Sequence, residues 1–335
     1  MEKRRLGRTG LNVSVLSFGA LPMQRCTLAE AGEVLQAALD AGINFIDTAR
    51  AYTDSEEKIG RHISSRRSEY YLATKSMARD KAGMAKDIDI SLATMQTDYV
   101  DLYQIHNIKN REDLDAVMAP GGALEALKEA QAAGKVRHIG VTGHSIDLLV
   151  EAIKSNEFST VQVPFNCIEL QALETLFPLA KELDIGRIVM KPLGGGQISN
   201  VNLALRFLLE HDISVAIPGM DKVEHITENL AAVAEFTPLT PEERATLQAE
   251  AEAIGPNFCR RCGYCMPCEA GLDIPAMFIF HLQYERYGMK DVIPGRYAAL
   301  KAKASDCIEC GLCETRCPYD LPIRARLKKV AEDLG

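Results

Sequence analysis

Residues 13–22, VSVLSFGALP, decide the fold. The run at 13–19 is β-rich and closes on Gly19-Ala20-Leu21-Pro22, with no G-x-G-x-x-G turn after it. A doubly wound dinucleotide-binding sheet carries its phosphate fingerprint at that turn, so the absence counts against a Rossmann arrangement. Seven further runs of the same kind follow, at 43–48, 70–75, 99–106, 136–142, 160–166, 187–192 and 213–218. Between them lie stretches rich in Ala, Leu, Glu and Lys, such as 28–41, 123–133 and 173–183, whose apolar residues recur at helical spacing. Eight βα units predict an α/β fold, the (β/α)8 TIM barrel.

The rhythm stops near Phe236. Thr237-Pro238-Leu239-Thr240-Pro241 introduces a last barrel helix at 242–253, and Gly255-Pro256 then breaks the chain. This places a barrel domain at 1–254 and a small domain at 255–335. The second segment holds Cys259-x2-Cys262-x2-Cys265-x2-Cys268 and Cys307-x2-Cys310-x2-Cys313-x3-Cys317-Pro318, eight of the ten cysteines. Three thiolates two residues apart wrap one face of a 4Fe-4S cubane, while the fourth of each run reaches the neighbouring cluster, as in two-cluster ferredoxins. The expected sets are Cys259, Cys262, Cys265 and Cys317 for one cluster, and Cys307, Cys310, Cys313 and Cys268 for the other.

Zinc and disulfides fit these runs less well. Structural zinc prefers separated cysteine pairs, and disulfides need an oxidising compartment. The N-terminus is charged from its second residue and lacks the apolar core of a signal peptide, so a cytoplasmic location is expected. The first run departs from the ferredoxin pattern by closing with x2, and Glu269 rather than proline follows Cys268. The 38 residues between the runs are longer and more helical than a compact ferredoxin linker, which predicts an α-helical ferredoxin-like module. Cys26 and Cys167 stand alone and read as packing residues.

With 46 acidic against 38 basic side chains the net charge is -8, which argues against nucleic acid or an anionic membrane as partner. The apolar stretch at 274–282 is too short to span a bilayer.

In a TIM barrel, polar residues that close apolar runs carry the chemistry. Asp47 ends INFIDTA's strand, Tyr52 follows in the next loop, Lys75 ends YYLATK and His106 ends YVDLYQIH. Each alone has a structural explanation, as a cap, a surface tyrosine, a snorkelling lysine or a satisfied histidine. Together, LGRTGLNVSVLSFG, INFIDTARAY, ATK and DYVDLYQIH, in this order and spacing, resemble the aldo-keto reductase superfamily. The resemblance covers about three-quarters of the chain, and it implies an NAD(P)H-dependent oxidoreductase with a catalytic tetrad at Asp47, Tyr52, Lys75 and His106. A buried ammonium paired with Asp47 would lower the tyrosine pKa from near 10, so that Tyr52 can donate a proton to a carbonyl oxygen as hydride arrives. His106 would orient that carbonyl. The implied substrate is a small carbonyl compound or its alcohol.

The resemblance also implies cofactor positions. Thr142 and Gln162 fall at the nicotinamide carboxamide, Lys191, Leu193 and Gly195 in a glycine-rich loop at the pyrophosphate, and Pro218, Gly219, Lys222, Glu228 and Asn229 at the adenosine end. Glycines there let backbone N–H groups approach phosphate. Three positions differ: Gly143 replaces the family asparagine, Met190 the tyrosine that stacks on nicotinamide, and His225 an arginine expected at the 2'-phosphate. The last weakens NADPH preference, because neutral histidine makes no bidentate phosphate contact. NADPH stays slightly ahead of NADH by resemblance, with Lys222 as the substitute cation. His144 is either a substrate contact or a loop histidine without a role.

CGYCMPC and CIECGLCETRCP resemble the C-terminal two-cluster domain carried by a subgroup of this superfamily. Three readings of the whole chain follow. In the first, a carbonyl oxidoreductase carries structural clusters. In the second, the clusters pass electrons to a ferredoxin-like partner, and because hydride carries two electrons, a flavin such as FMN in the barrel's phosphate site would divide them. In the third, the barrel is dead and the clusters sense redox state, against which the intact tetrad argues.

Overall fold

The computed structural model describes residues 1–335 apart from residue 235 and residues 256–257 and 286–288. Pro256, part of the expected break, lies outside the described residues. The chain divides into two compact units, Met1–Ala253 and Ile254–Gly335.

The first unit is an eight-stranded parallel sheet. Its strands follow an N-terminal hairpin of β1 (Lys3–Arg5) and β2 (Asn12–Ser14), and are β3 (Phe18–Gly19), β4 (Phe45–Asp47), β5 (Tyr71–Ser76), β6 (Val100–Ile108), β7 (Val136–Gly143), β8 (Thr160–Pro164), β9 (Gly186–Met190) and β10 (Val215–Ile217). Each pairs in parallel with the next. Parallel bridges Leu16 to Ala216 and Gly19 to Gly219 join the first strand to the last and bring the barrel to near closure. That seam is tight, since a Cβ on Gly19 would lie 2.5 Å from the Ile217 carbonyl oxygen.

The hairpin is a departure from the expected single strand at 13–19. β1 and β2 pair antiparallel, Lys3 with Ser14, whereas Leu16 bridges Ala216 and Phe18–Gly19 pairs with β4 in the barrel sheet. Asn44, just before β4, draws the chain aside: its Oδ1 accepts from Ser14 N at 2.6 Å and its Nδ2 donates to Asn12 O at 2.9 Å. Leu6 and Val13 thereby join Phe45, Ala73, Leu102, Ile188 and Val215 in the barrel interior. Each of these fully buried side chains larger than Ala73 contributes roughly 1.5–3 kcal/mol.

The outer helices bury one apolar face each against the strands. Helix Leu28–Asp40 starts on a capping box in which Thr27 N donates to Glu30 Oε2 at 2.7 Å and Glu30 N donates to Thr27 Oγ1 at 3.3 Å. Helix Pro241–Ile254 starts on a second reciprocal pair, Thr240 with Glu243. The helix expected at 173–183 begins later, at Leu176, after a 3-10 turn over Gln171–Leu173.

The second unit is helical among the described residues, with Ile274–Glu285, Ile293–Ala298, Leu312–Thr315 and Ile323–Leu334. Met277, Phe278, Leu327 and Val330 pack in its core together with Cys265 and Cys313. No helix among the described residues is long and apolar enough to cross a membrane.

Candidate active site and cluster ligands

Asp47 is the last residue of β4, Lys75 lies near the end of β5 and His106 near the end of β6, so the parallel strands deliver all three to the same rim. They are at most 2% exposed, and Tyr52, in the loop after β4, is 9% exposed. Lys75 Nζ donates to Asp47 Oδ1 at 2.6 Å and to Thr48 O at 2.7 Å. It stands 5.1 Å from the Tyr52 ring centroid. The Tyr52 and His106 rings meet edge to face, with centroids 5.9 Å apart and an interplanar angle of 84°. Thus the four residues form one buried cluster.

Burial pushes the Asp47 carboxyl up, opposed by Lys75 and by the amides of Gln104 and Gln162. Burial pushes the Lys75 ammonium down, opposed chiefly by Asp47. His106 is held well below its usual value, first by burial and then by the nearby cations Lys75, Arg79 and Lys191, so its imidazole is neutral. The rim therefore holds a neutral histidine beside a positive charge fixed on a carboxylate.

The remaining positions surround this cluster. Thr142 Oγ1 on β7 accepts from Asn107 N at 2.8 Å, and Gln162 on β8 is aligned with Thr142 across the sheet. Lys191, Gly194, Gly195 and Gly196 all have positive φ, which makes the loop after β9 a sharp turn whose backbone N–H groups can face an anion. Leu193 belongs to the same loop, whose Gly196 N donates to Leu193 O at 2.9 Å. After β10, Pro218 and Gly219 line the barrel seam. Lys222 and Glu228 are exposed while Asn229 is buried. His225 Nδ1 lies 3.0 Å from Asp221 Oδ1.

In the second unit, one void is lined by Cys259, Cys262, Cys265 and Cys317, among others. A second is lined by Cys268, Cys307, Cys310 and Cys313, and Cys265 touches it too. The first void thus gathers three cysteines of the first run with Cys317, and the second gathers the other run's first three with Cys268 and Cys265. With four cysteines around the first void and five around the second, each offers the four thiolates that a cubane needs. Burial and the neighbouring thiols Cys262 and Cys317 push the Cys259 thiol up to about 11. Arg260, almost fully buried, lines the first void between the rings of Phe258 and Tyr319, at 3.8 and 4.0 Å from guanidinium carbon to centroid. A cation there offsets the negative charge of a four-thiolate cluster.

The description "Aldo/keto reductase family" matches residues 15–202. The chain belongs to the aldo/keto reductase family. Residues 258–322 match a 4Fe-4S dicluster domain, so this aldo/keto reductase is an oxidoreductase with an iron-sulfur module at its C-terminal end. It is 30% identical to L-galactose dehydrogenase of Arabidopsis thaliana, over 75% of this chain and 94% of that protein. It is 27% identical to 6-dehydroglucose reductase of Novosphingobium aromaticivorans, over 78% and 93%. Among solved structures, the holo form of an aldo-keto reductase from Bacillus halodurans superimposes with a TM-score of 0.66 at 27% identity, covering 76% of this chain and 98% of that one.

Two residues of this aldo/keto reductase rim escape a reading of strand ends alone. Gln104 Nε2 donates to Asp47 Oδ2 at 3.1 Å. It shares a strand face with His106 two residues later, and period-2 alternation is the signal that points to it. Glu56 is buried, accepting from Thr74 Oγ1 at 2.7 Å, Ser91 Oγ at 2.8 Å and Arg50 Nη1 at 2.5 Å. Arg50 N in turn donates to Lys75 O at 2.9 Å, so the ion pair fastens the Tyr52 loop to β5. Its signal is helical spacing, because Ile59, Gly60 and Ile63 share its face.

Proposed function

We propose that this protein interconverts a small carbonyl compound and its alcohol with NAD(P)H, with Tyr52 as the acid and base. The observation that carries the reading is the buried Asp47 and Lys75 pair set against the Tyr52 ring and beside neutral His106. An ammonium has three N–H donors. Two go to Asp47 and Thr48, and the third is available to the Tyr52 oxygen. The charge thereby favours a phenolate after Tyr52 has given its proton to the carbonyl oxygen. Neutral His106 offers one N–H to the same oxygen and orients it. Bound NAD(P)H supplies the hydride for the carbonyl carbon, and NAD(P)+ takes it back in the reverse direction.

The chain's residues suit that cofactor. Thr142 and Gln162 would hold its carboxamide, the loop carrying Lys191, Leu193 and Gly195 its pyrophosphate, and Pro218, Gly219, Lys222, Glu228 and Asn229 its adenosine end. Lys222 is an exposed cation for a 2'-phosphate, one turn before His225. Two of the relatives are named for sugar-derived substrates, which makes L-galactose and 6-dehydroglucose the first probes.

The eight cysteines would hold two 4Fe-4S clusters, which carry electrons one at a time. One observation favours a conducting role: Cys265 lines both voids, so the two sets lie side by side, and Cys310 is exposed. A ferredoxin-like partner would then take electrons at that surface, with FMN dividing the hydride pair. Anaerobic titration with NADPH and then NADH, with and without FMN, followed by cluster bleaching and electron paramagnetic resonance, tests both readings. Clusters that stay oxidised while an aldehyde is reduced in a Tyr52-dependent way support the carbonyl reductase. Clusters that fill at the rate of turnover support the electron chain.

A further inference from the structure

Asn107 follows His106 on β6 and carries two unfavourable features at once. Its φ is +55°, in the left-handed region. Its side chain is 1% exposed, and neither Nδ2 nor Oδ1 has a hydrogen-bond partner among the described residues. Buried amides are almost always paired, and backbone strain gathers where ligands are held. The conformation is enforced from outside. Arg79 Nη2 donates to the carbonyl oxygens of His106 at 2.9 Å and Asn107 at 2.8 Å, while Asn107 N donates to Thr142 Oγ1.

The register of β6 against β7 shifts between Ile105 and Ile108, which sets His106 and Asn107 together opposite Thr142. A bulge of this kind breaks the alternation of side chains and re-aims one of them, so Asn107 escapes the face opposite His106. Thr142 is aligned with Gln162 on β8, whose buried Oε1 also lacks a partner among the described residues. Asn107, Thr142 and Gln162 therefore lie in one row across three neighbouring strands. Gly143, paired with Ile108, contributes no side chain to that row.

We propose that Asn107 holds the carboxamide of the nicotinamide ring, in place of the asparagine that Gly143 replaces. A side-chain amide with a free donor and a free acceptor matches a primary carboxamide, which presents one of each. The inference rests on the NAD(P)H reading above, and the test separates the two. Isothermal titration of the cluster-replete protein uses NADPH and, as a probe without nicotinamide, 2'-phospho-ADP-ribose. Asn107→Gly removes the amide while accepting the left-handed φ at no steric cost. Asn107→Asp keeps an acceptor and loses the donor. Both variants should bind NADPH about tenfold more weakly, with the nicotinamide-free probe changed less than about twofold. Equal weakening of both ligands, or of neither, overturns the placement of Asn107 alone. A wild-type protein that binds neither ligand overturns the NAD(P)H reading and this inference with it.

Discussion

Replacing Lys75 with Met tests the centre of the site, because the same ammonium serves stability and chemistry. Its Nζ lies 2.6 Å from Asp47 Oδ1, with both side chains at most 3% exposed. Two unit charges at that distance attract by about 6 kcal/mol at an effective dielectric of 20. Removing one partner of such a pair costs about 3–5 kcal/mol, because the survivor escapes part of the penalty by taking up a proton. Burial already raises the Asp47 carboxyl above its ordinary 3.8, and without the ammonium only the Gln104 and Gln162 amides oppose that. A carboxyl raised in the folded state gives its full contribution below the unfolded value and loses it as pH rises through the folded one. The deficit of Lys75→Met should therefore be widest near pH 8. It should shrink by about 1.4 kcal/mol per pH unit between the folded value and 3.8. Anaerobic urea titrations at pH 8, 6.5 and 5 would read this by far-ultraviolet circular dichroism, since the chain has no tryptophan. The double variant Asp47→Asn with Lys75→Met should recover most of the stability and none of the activity, with turnover down by about 10²–10⁴ in both. Wild-type stability of Lys75→Met at pH 8, or wild-type turnover of the double variant, refutes the argument.

Three further outcomes follow from single contacts. The depressed imidazole of His106 refuses a proton that the unfolded chain accepts below 6.5, so stability falls as pH drops below that value. His106→Gln should flatten the decline by up to about 1.4 kcal/mol per pH unit, read from urea midpoints at pH 7, 6 and 5. Cys317→Ser should empty the set formed with Cys259, Cys262 and Cys265, taking iron from about eight to about four per chain by metal analysis, whereas Cys26→Ser should leave iron unchanged. Thr240→Ala removes the bond from Glu243 N at 3.2 Å and should lower stability by about 1 kcal/mol in the same urea assay.

The barrel was legible because each strand is short, apolar and followed by a helix of clear period, and the dicluster domain was legible because the spacing of its cysteines is chemical rather than topological. What escaped has a common physical origin. The run at 13–19 alternates evenly enough to read as one strand, and only Asn44, about thirty residues away in sequence, takes Ser14 and Asn12 out of the barrel. Likewise nothing in YVDLYQIHNI marks a bulge, because a bulge is a relation between β6 and β7.

The same distinction bears on how the site diverges. Asp47, Tyr52, Lys75 and His106 occupy strand ends and a loop, positions that any (β/α)8 sequence presents to one rim, and their resemblance to a known pattern is visible residue by residue. Gly143 reads as a loss on β7, although the adjacent strand sets an amide with no partner among the described residues opposite Thr142, one residue before it. A side chain lost on one strand can be replaced from its neighbour when a one-residue register shift turns a new residue toward the site. Such replacements separate position in sequence from position in the rim, so Gly143 alone is weak ground for denying this barrel a nicotinamide.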